Sequence, residues 1–126
     1  MKAQLVIHSG IHVKNSDTHG WGVFTSSDIS KGDIVEECVI PIDIIPLDNP
    51  ALINYRFIWS SRKPGATIEG YCLALGFGSI YNHSEEDPNV DWDIDVELRI
   101  LRFVAIRDIR ANEELFHDYM HNPTLL

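Results

Sequence analysis

Three short motifs carry the residue types that could bind a ligand or take part in chemistry. Gly20-Trp21-Gly22 places an aromatic ring between glycines, and a residue without Cβ lets a ligand approach the backbone closely. Asn82-His83-Ser84 offers polar side chains that can bind a ligand or hydrogen-bond to their own loop. Glu113-Glu114 precedes Asp118-Tyr119 near the end. Taken singly, each motif also has a purely structural interpretation. The first fits a tight turn, the second a capped loop, and the third a solvated acidic turn with a packed tyrosine.

The elements that must position these motifs are short. Residues 23–25 and the apolar stretch 34–45 predict two strands around a turn at 30–33. Asp48-Asn49-Pro50 then offers a cap residue and a first-turn proline. One short helix is predicted after it, because three large side chains follow at helical spacing: Leu52, Tyr55 and Trp59.

The second half of the chain also predicts strands. Residues 73–77 form an apolar run, and residues 96–100 alternate between apolar and polar side chains before the pattern slips at Leu101. The slip predicts a bulge or bend near Leu101. Because period-2 patterns and turns outnumber helical segments, the sequence predicts a mainly β fold.

Two stretches of the chain echo each other. Residues 28–33 and 108–113 both place Asp-Ile before a turn, with Gly32 and Asn112 in matching positions and an acid after each. Glycine and asparagine tolerate a left-handed backbone. We therefore predict strand-turn-strand units in which Asn112 takes the conformation of Gly32.

Length and composition indicate one domain. The 126 residues, of which 44% are apolar, suffice for one modest core, so residues 1–126 are interpreted as a single domain. The first ten residues lack the apolar run of a signal peptide or membrane span, which indicates an intracellular protein. Cys38 and Cys72 lie outside any C-x-x-C pattern and are predicted to be buried free thiols.

The charge of the chain limits its partners. A net charge of −9 repels phosphate backbones and anionic lipids, which argues against nucleic acid or a membrane as a direct partner. Acids are concentrated between Glu85 and Glu97. This stretch fits a solvated loop or a docking surface for a cationic peptide, and the sequence leaves both interpretations open.

The order and spacing of the motifs resemble a known family. G-W-G-V-F, then L-A-L-G-F-G-S-I-Y-N-H-S-x3-P-N, then R-D-I-x-A-N-E-E-L-x-x-D-Y resemble the SET-domain lysine methyltransferases from His19 to Tyr119. The likeness looks closest to the minimal SET proteins of chlorella viruses and bacteria. It implies several small β-sheets, one short helix and a C-terminal pseudoknot, in which the segment ending at Tyr119 threads the loop that bears Asn82.

The resemblance also implies an activity, namely transfer of a methyl group from S-adenosylmethionine to a lysine of a histone tail or another basic protein. Tyr119 matches the catalytic tyrosine of the family, whereas Glu113 and Glu114 match acids interpreted as structural. Two residues match positions of the lysine channel: Tyr55 and His117. Five residues match the cofactor pocket: Gly20, Trp21, Gly22, Asn82 and His83.

The chain departs from many relatives in lacking cysteine-rich zinc segments on either side of the domain. A second subunit could complete the pocket after Tyr119, so the resemblance suggests a homodimer. It implies the host nucleus for a viral or effector protein and the cytoplasm for a bacterial one. His117 and His121 could contribute two ligands to a metal, but no helical period supports the pair and we predict no metal site. The alternative to an enzyme is a noncatalytic SET-like module that binds a basic peptide.

Overall fold

The computed structural model describes residues 4–17, 20–40, 56–58 and 71–119, and these residues are mainly β. A short 3-10 helix occupies Gly78–Ile80. The strands of this part of the chain are β1 (Ile11–Asn15), β2 (Trp21–Thr25), β3 (Ile34–Val39), β4 (Arg56–Ile58), β5 (Tyr71–Leu73), β6 (Asn82–His83), β7 (Val90–Asp95), β8 (Ile100–Ala105) and β9 (Glu114–His117).

Three small sheets are built from these strands, with the orders β1-β2-β9-β6, β3-β8-β7 and β4-β5. The pairing is antiparallel except between β6 and β9, which run parallel. Each sheet contributes side chains to one buried apolar cluster, among them Val23, Leu115, Val35, Trp92, Phe103, Phe57 and Cys72. The mainly β prediction with several small sheets is therefore confirmed.

The two Asp-Ile stretches face each other in the structure. Ile29 and Ile109 exchange two backbone hydrogen bonds of 2.8 Å. The side chain of Asp28 accepts a hydrogen bond from the backbone of Ala111 at 2.9 Å, and Asp108 accepts the equivalent bond from Lys31 at 2.8 Å. Each turn thus satisfies a backbone donor of the other.

The turns also match in backbone conformation. Gly32 has a φ of 91° and Asn112 a φ of 76°, so both lie in the left-handed region. The Asn112 prediction is confirmed. The backbone N–H of Gly32 donates to Ala105, and that of Asn112 donates to Thr25. Each turn is therefore hydrogen-bonded to the end of the strand that precedes the other turn.

The predicted helix is wrong where the structure describes it. Residues 56–58 form β4, which pairs with β5 and places Phe57 opposite Cys72. Phe57 is buried, with its ring centroid 5.1 Å from that of Trp92. Cross-strand pairing and core burial outweigh three side chains at helical spacing. The rest of the predicted helix, including Leu52, Tyr55 and Trp59, lies outside the described residues.

Both strand predictions in the second half need correction. Residues 75–77 form a turn in which Gly76 has a φ of 78°. Residues 96–99 also form a turn, which joins β7 to β8 and in which Asp95 accepts a hydrogen bond from the Leu98 backbone. The apparent alternation was coincidental. Of the predicted bulge or bend near Leu101, the bulge is absent, because the β7–β8 register runs through Leu101 unbroken and the irregularity lies between Ile34 and Glu36; the chain bends in the turn 96–99 instead.

The loop that follows β6 is hydrogen-bonded to the C-terminal strand β9 at both of its ends. Ser84 donates its backbone N–H to His117, and Asn89 donates its own to Phe116. The Asn89 side chain also accepts from the Phe116 N–H and donates to the Glu114 carbonyl, both at 2.8 Å. The loop between residues 84 and 89 is therefore closed against β9 at both ends, the association that the resemblance implies.

Strand β3 carries two buried acids in different environments. Glu37 pairs with the guanidinium of Arg102 at 2.8 Å. Glu36 instead accepts hydrogen bonds from the neutral Tyr81 hydroxyl at 2.8 Å and the Phe77 backbone at 2.9 Å, and Cys38 also bonds to it. Burial raises the pKa of Glu36, and these hydrogen bonds oppose the rise.

The predicted thiol state is confirmed, since Cys38 and Cys72 are both buried and form no disulfide. Among the described residues, no helix is long and apolar enough to span a membrane.

We expect Asn112→Gly to leave stability nearly unchanged, whereas Asn112→Val should lower the free energy of unfolding by roughly 1–2 kcal/mol. The reason is that a β-branched residue is strained at a φ of 76°, while the exposed side chain has little packing to lose. Chemical denaturation measures both values. Arg110→Val is the control, an exposed position of the same turn; an equal loss there would show that β-branching itself, not the left-handed backbone, causes the effect.

We expect Glu36→Gln to gain stability relative to the parent protein as the pH rises. The folded state holds the Glu36 proton more tightly than the unfolded state, because burial raises its pKa. The contribution of Glu36 to stability is thus full below the ordinary Glu pKa and is lost as pH rises through the raised value. Urea unfolding of both proteins from pH 4 to 8 gives the difference, and a difference that stays constant with pH would contradict the raised pKa.

Candidate functional site

Tyr119, two residues after the end of β9, is fixed at both its backbone and its hydroxyl. Its hydroxyl donates to the carbonyl oxygen of Tyr81 at 2.9 Å. Its backbone N–H donates to Nδ1 of His83, also at 2.9 Å. The residue remains 45% exposed. A tyrosine held in this way presents its hydroxyl in a defined place while part of it stays open to a ligand.

His83 positions Tyr119 by accepting a hydrogen bond at its unprotonated ring nitrogen. Because Nδ1 accepts the Tyr119 N–H, the neutral ring carries its proton on Nε2. The ring centroids of the two residues lie 4.9 Å apart. The carboxylate of Asp118 is 3.8 Å from Nδ1. The parallel pairing of His83 with His117 brings all these groups to the same end of β9.

Asn82 joins the same loop to β2. Its side-chain amide donates to the Trp21 carbonyl at 3.1 Å and to the Glu114 carboxylate at 2.8 Å. Glu114 accepts a further bond of 2.6 Å from the Ser16 hydroxyl. A Cβ on Gly22 would collide with this Glu114 carboxylate, so glycine is required for the close approach. Glu114 therefore holds Ser16 and Asn82 in place, and its contact with Asn82 was not predicted from the sequence.

The backbone at Gly20 faces open space. Gly20 has a φ of 44°, and no described atom lies within 4 Å of where its Cβ would stand. The neighbouring Trp21 is 63% exposed. A ligand could thus lie on this backbone, beside Asn82 and the carboxylate of Glu114. The Glu114 carboxylate favours a ligand that carries positive charge.

The structure brings most of the predicted site residues together. Trp21 and Gly22 meet Asn82, which is followed directly by His83, and His83 contacts Tyr119. Gly20 adjoins this group in sequence. Tyr55, predicted for the substrate channel, lies outside the described residues.

His117 lies under Tyr119 in an aromatic environment. It is buried, and its ring centroid is 4.7 Å from that of Tyr119. The Phe57 ring stacks on it at 5.8 Å, and Phe103 meets it edge-on at 5.6 Å. A side chain that enters beside Tyr119 would therefore meet aromatic surfaces and little water. His117 contacts Tyr119, and its place in the lysine channel stays a prediction.

The sequence reasoning missed Tyr81, Phe57 and Phe103. Tyr81 directly precedes Asn82, and this adjacency is a signal that could have found it. Phe57 belongs to a strand of three residues, too short for a hydrophobic period to show. Phe103 follows the alternation of β8 and could be predicted as core, but not as a neighbour of His117.

The acidic stretch does not form one solvated loop. Asp91 is buried in β7 and accepts a hydrogen bond from the next backbone N–H, and Asp93 does the same. Asp87 pairs with Arg107 at 3.1 Å. The three exposed glutamates are Glu85, Glu86 and Glu97. The interpretation as a docking surface for a cationic peptide thus narrows to these exposed acids and stays a prediction.

Among the residues that the structure describes, no group of three or more His, Cys, Asp or Glu side chains is arranged to hold a metal ion. His121, half of the considered histidine pair, lies outside them.

Comparison with known proteins agrees with this geometry. The family model of the SET domain matches residues 20–120. A Schizosaccharomyces pombe protein named histone-lysine N-methyltransferase, H3 lysine-37 specific, is 30% identical over 121 residues, which are 90% of this chain and 76% of the relative.

Two crystal structures are similar as well. One is a Plasmodium falciparum protein assigned as a histone methyltransferase, with 27% identity and a TM-score of 0.66 over 92% of this chain and 97% of that one. The other is CpSET8 of Cryptosporidium, with 27% identity and a TM-score of 0.61 over 89% of this chain and 58% of that one. The closer likeness to viral and bacterial proteins stays a prediction. The family match and the 30% identical relative show that this chain belongs to the SET-domain family.

Proposed function

We propose that this protein is an S-adenosylmethionine-dependent protein-lysine N-methyltransferase that acts on a histone tail or another basic protein. The observation that carries the proposal is the anchoring of the Tyr119 hydroxyl on the Tyr81 carbonyl, next to the loop of Asn82 and His83. A hydroxyl and a carbonyl oxygen held together in this way can accept weak C–H···O contacts from a methyl group. The names of the S. pombe and P. falciparum relatives support a histone substrate.

The cofactor fits the residues beside Tyr119. Gly20 and Trp21 would lie along it, because the backbone there is open and the indole exposed. Asn82 and His83 would bind its polar groups, and the Glu114 carboxylate would favour its positive charge. S-adenosylmethionine, when bound, supplies a methyl group on a sulfonium, which the lone pair of a neutral amine attacks as the bond to sulfur breaks.

The residues of the site favour the neutral amine. A free lysine has a pKa near 10.4, so roughly one molecule in a few thousand is neutral at pH 7. His117 contacts Tyr119, and Phe57 and Phe103 pack on His117; this aromatic cluster disfavours the charged form by excluding water. Tyr119 then orients the amine toward the methyl group, and alignment of the reacting atoms supplies much of the rate. Aromatic faces also tolerate the methylated, cationic product.

The charge of the protein supports a basic substrate. A net charge of −9 attracts cationic tails, and Glu85 and Glu86 are exposed on the loop that closes against β9. The same charge opposes direct binding to nucleic acid. A homodimer that completes the site, and a location in the nucleus or cytoplasm, belong to this proposal. The number of methyl groups transferred depends on the space around His117.

Labelled S-adenosylmethionine and a panel of purified histones test the proposed activity. Transfer of label to a lysine, located by mass spectrometry, supports the enzyme. A noncatalytic binding module would instead retain peptide or cofactor in calorimetry and transfer no label.

We expect Tyr119→Phe to lower kcat by roughly 10² or more, because misplaced reacting groups lose rate on that scale. The substitution keeps the ring and deletes the hydroxyl that meets Tyr81. Cofactor affinity and folding should stay close to those of the parent protein. The loss should appear in kcat and not mainly in KM, since the lost contact acts in the transition state. A folded variant with at least half of the parent turnover would remove Tyr119 from catalysis.

We expect Asn82→Ala to weaken cofactor binding by about 1–3 kcal/mol, the scale of one lost buried polar partner. The amide links the Trp21 carbonyl to Glu114, so its loss frees both sides of the pocket. Titration calorimetry measures the affinity, and thermal unfolding confirms that the variant is folded. Unchanged affinity in the folded variant would mean that Asn82 does not hold the cofactor.

A further inference from the structure

Tyr81 connects a buried carboxylate to the hydroxyl of Tyr119. Its own hydroxyl donates to Oε1 of Glu36 at 2.8 Å, and its carbonyl oxygen accepts the Tyr119 hydroxyl at 2.9 Å. Between these ends, the Tyr81 ring is 1% exposed and stacks on Phe103 with the centroids 4.0 Å apart. The position of the Tyr81 carbonyl therefore depends on where its side chain is held.

Glu36 also fixes the turn that leads to Tyr81. Its Oε2 accepts the Phe77 backbone N–H at 2.9 Å. Gly76 has a φ of 78°, and a Cβ there would collide with the same Oε2. The 3-10 helix Gly78–Ile80 then spans the distance to Tyr81. One carboxylate thus holds both ends of the segment 77–81.

The energetics of Glu36 differ from those of its neighbour. Glu37 has Arg102 as a partner, whereas the partners of Glu36 among the described residues are neutral groups. Burying a carboxylate costs several kcal/mol, and an apolar side chain of similar size would avoid that cost. Stability alone therefore does not explain an acid at position 36. Three donors that converge on it from the turn, Tyr81 and Cys38 instead indicate that it fixes their geometry.

We propose that Glu36 and Tyr81 form a positioning pair for methyl transfer, in which the hydrogen bond between their side chains sets the carbonyl oxygen that orients the Tyr119 hydroxyl. The inference rests on the proposed function. Neither side chain needs to touch the substrate, because both act through Tyr119. The pair also connects β3 to the start of β6 and to Tyr119 after β9. A change in the packing around Glu36 would therefore shift the site.

The first test uses Tyr81→Phe, which keeps the stacked ring and deletes the hydroxyl. We expect kcat to fall about tenfold, less than for loss of the Tyr119 hydroxyl itself, because the carbonyl is displaced and not removed. KM values for the cofactor and a histone peptide should stay within about twofold of the parent values.

Glu36→Gln is the conservative counterpart. Its amide oxygen can still accept the Phe77 N–H, and its amide nitrogen can donate to the Tyr81 oxygen. The geometry is kept without the charge, so kcat should stay within about threefold of the parent value. A tenfold loss of kcat in Glu36→Gln would contradict positioning by geometry and overturn the proposal in this form.

The double variant Glu36→Met with Tyr81→Phe separates positioning from stability. It replaces the polar pair by apolar side chains of similar size, and the melting temperature should stay near the parent value, because removal of the buried charge offsets the lost hydrogen bonds. Turnover should nevertheless remain about tenfold low. Glu37→Gln is the matched control on the same strand: it should lose stability with its Arg102 pair weakened, while the folded variant keeps the parent kcat.

Parent-like kcat in both Tyr81→Phe and the double variant, with an active parent protein, would overturn the positioning role. An inactive parent protein would overturn the proposed function instead. The pair is then judged by hydrogen exchange at the Tyr119 amide, which donates to His83 in the structure. Faster exchange in Tyr81→Phe than in the parent supports positioning, and an unchanged rate overturns it.

Discussion

The hydrogen bonding of β9 on both edges is the constraint on which the site depends. One edge pairs antiparallel with β2, and the other pairs parallel with β6 and is bonded by the Asn89 side chain. A short strand inside a protein must satisfy its backbone groups, and here both neighbouring strands that do so also carry site residues. β2 brings Trp21 and β6 brings Asn82 and His83. Tyr119 follows β9 itself, so placing this one strand assembles the site.

The register of β9 is set elsewhere, by the turns at 28–33 and 108–113. Asp28 and Asp108 each accept a hydrogen bond from the opposite turn, and Ile29 and Ile109 pair between them. A slip of one residue would break both carboxylate bonds and turn buried side chains outward. The pairing of β2 with β9 and that of β3 with β8 are therefore fixed together. The two turns thereby link the four-stranded sheet to the three-stranded sheet.

The sequence predicted local geometry where one residue type decides it. Asn112 takes the left-handed conformation of Gly32, because asparagine is among the few residues that tolerate it. The motif residues Trp21, Asn82 and Tyr119 were found because their order resembles a family. The helix prediction failed over 56–58, since pairing with β5 is a tertiary effect that spacing does not contain. The contacts of Tyr81 and Phe57 likewise join residues far apart in the chain, so spacing does not contain those contacts either.

Because the site is assembled from distant segments, its geometry is coupled to the global fold. Trp21, Asn82 and Tyr119 are separated by most of the chain, and each is held by the backbone or side chain of another segment. Opening β9 would release the Tyr119 hydroxyl and the Asn82 amide together. A ligand that binds only the assembled site stabilises the closed strand by mass action. The buried carboxylate of Glu36 also couples the core to the site. Its burial lowers the stability of the core, while its hydrogen bonds restrict the segment 77–81 beside the site. Core stability and site geometry therefore favour different residues at position 36: an apolar side chain would stabilise the core, and the glutamate fixes the geometry.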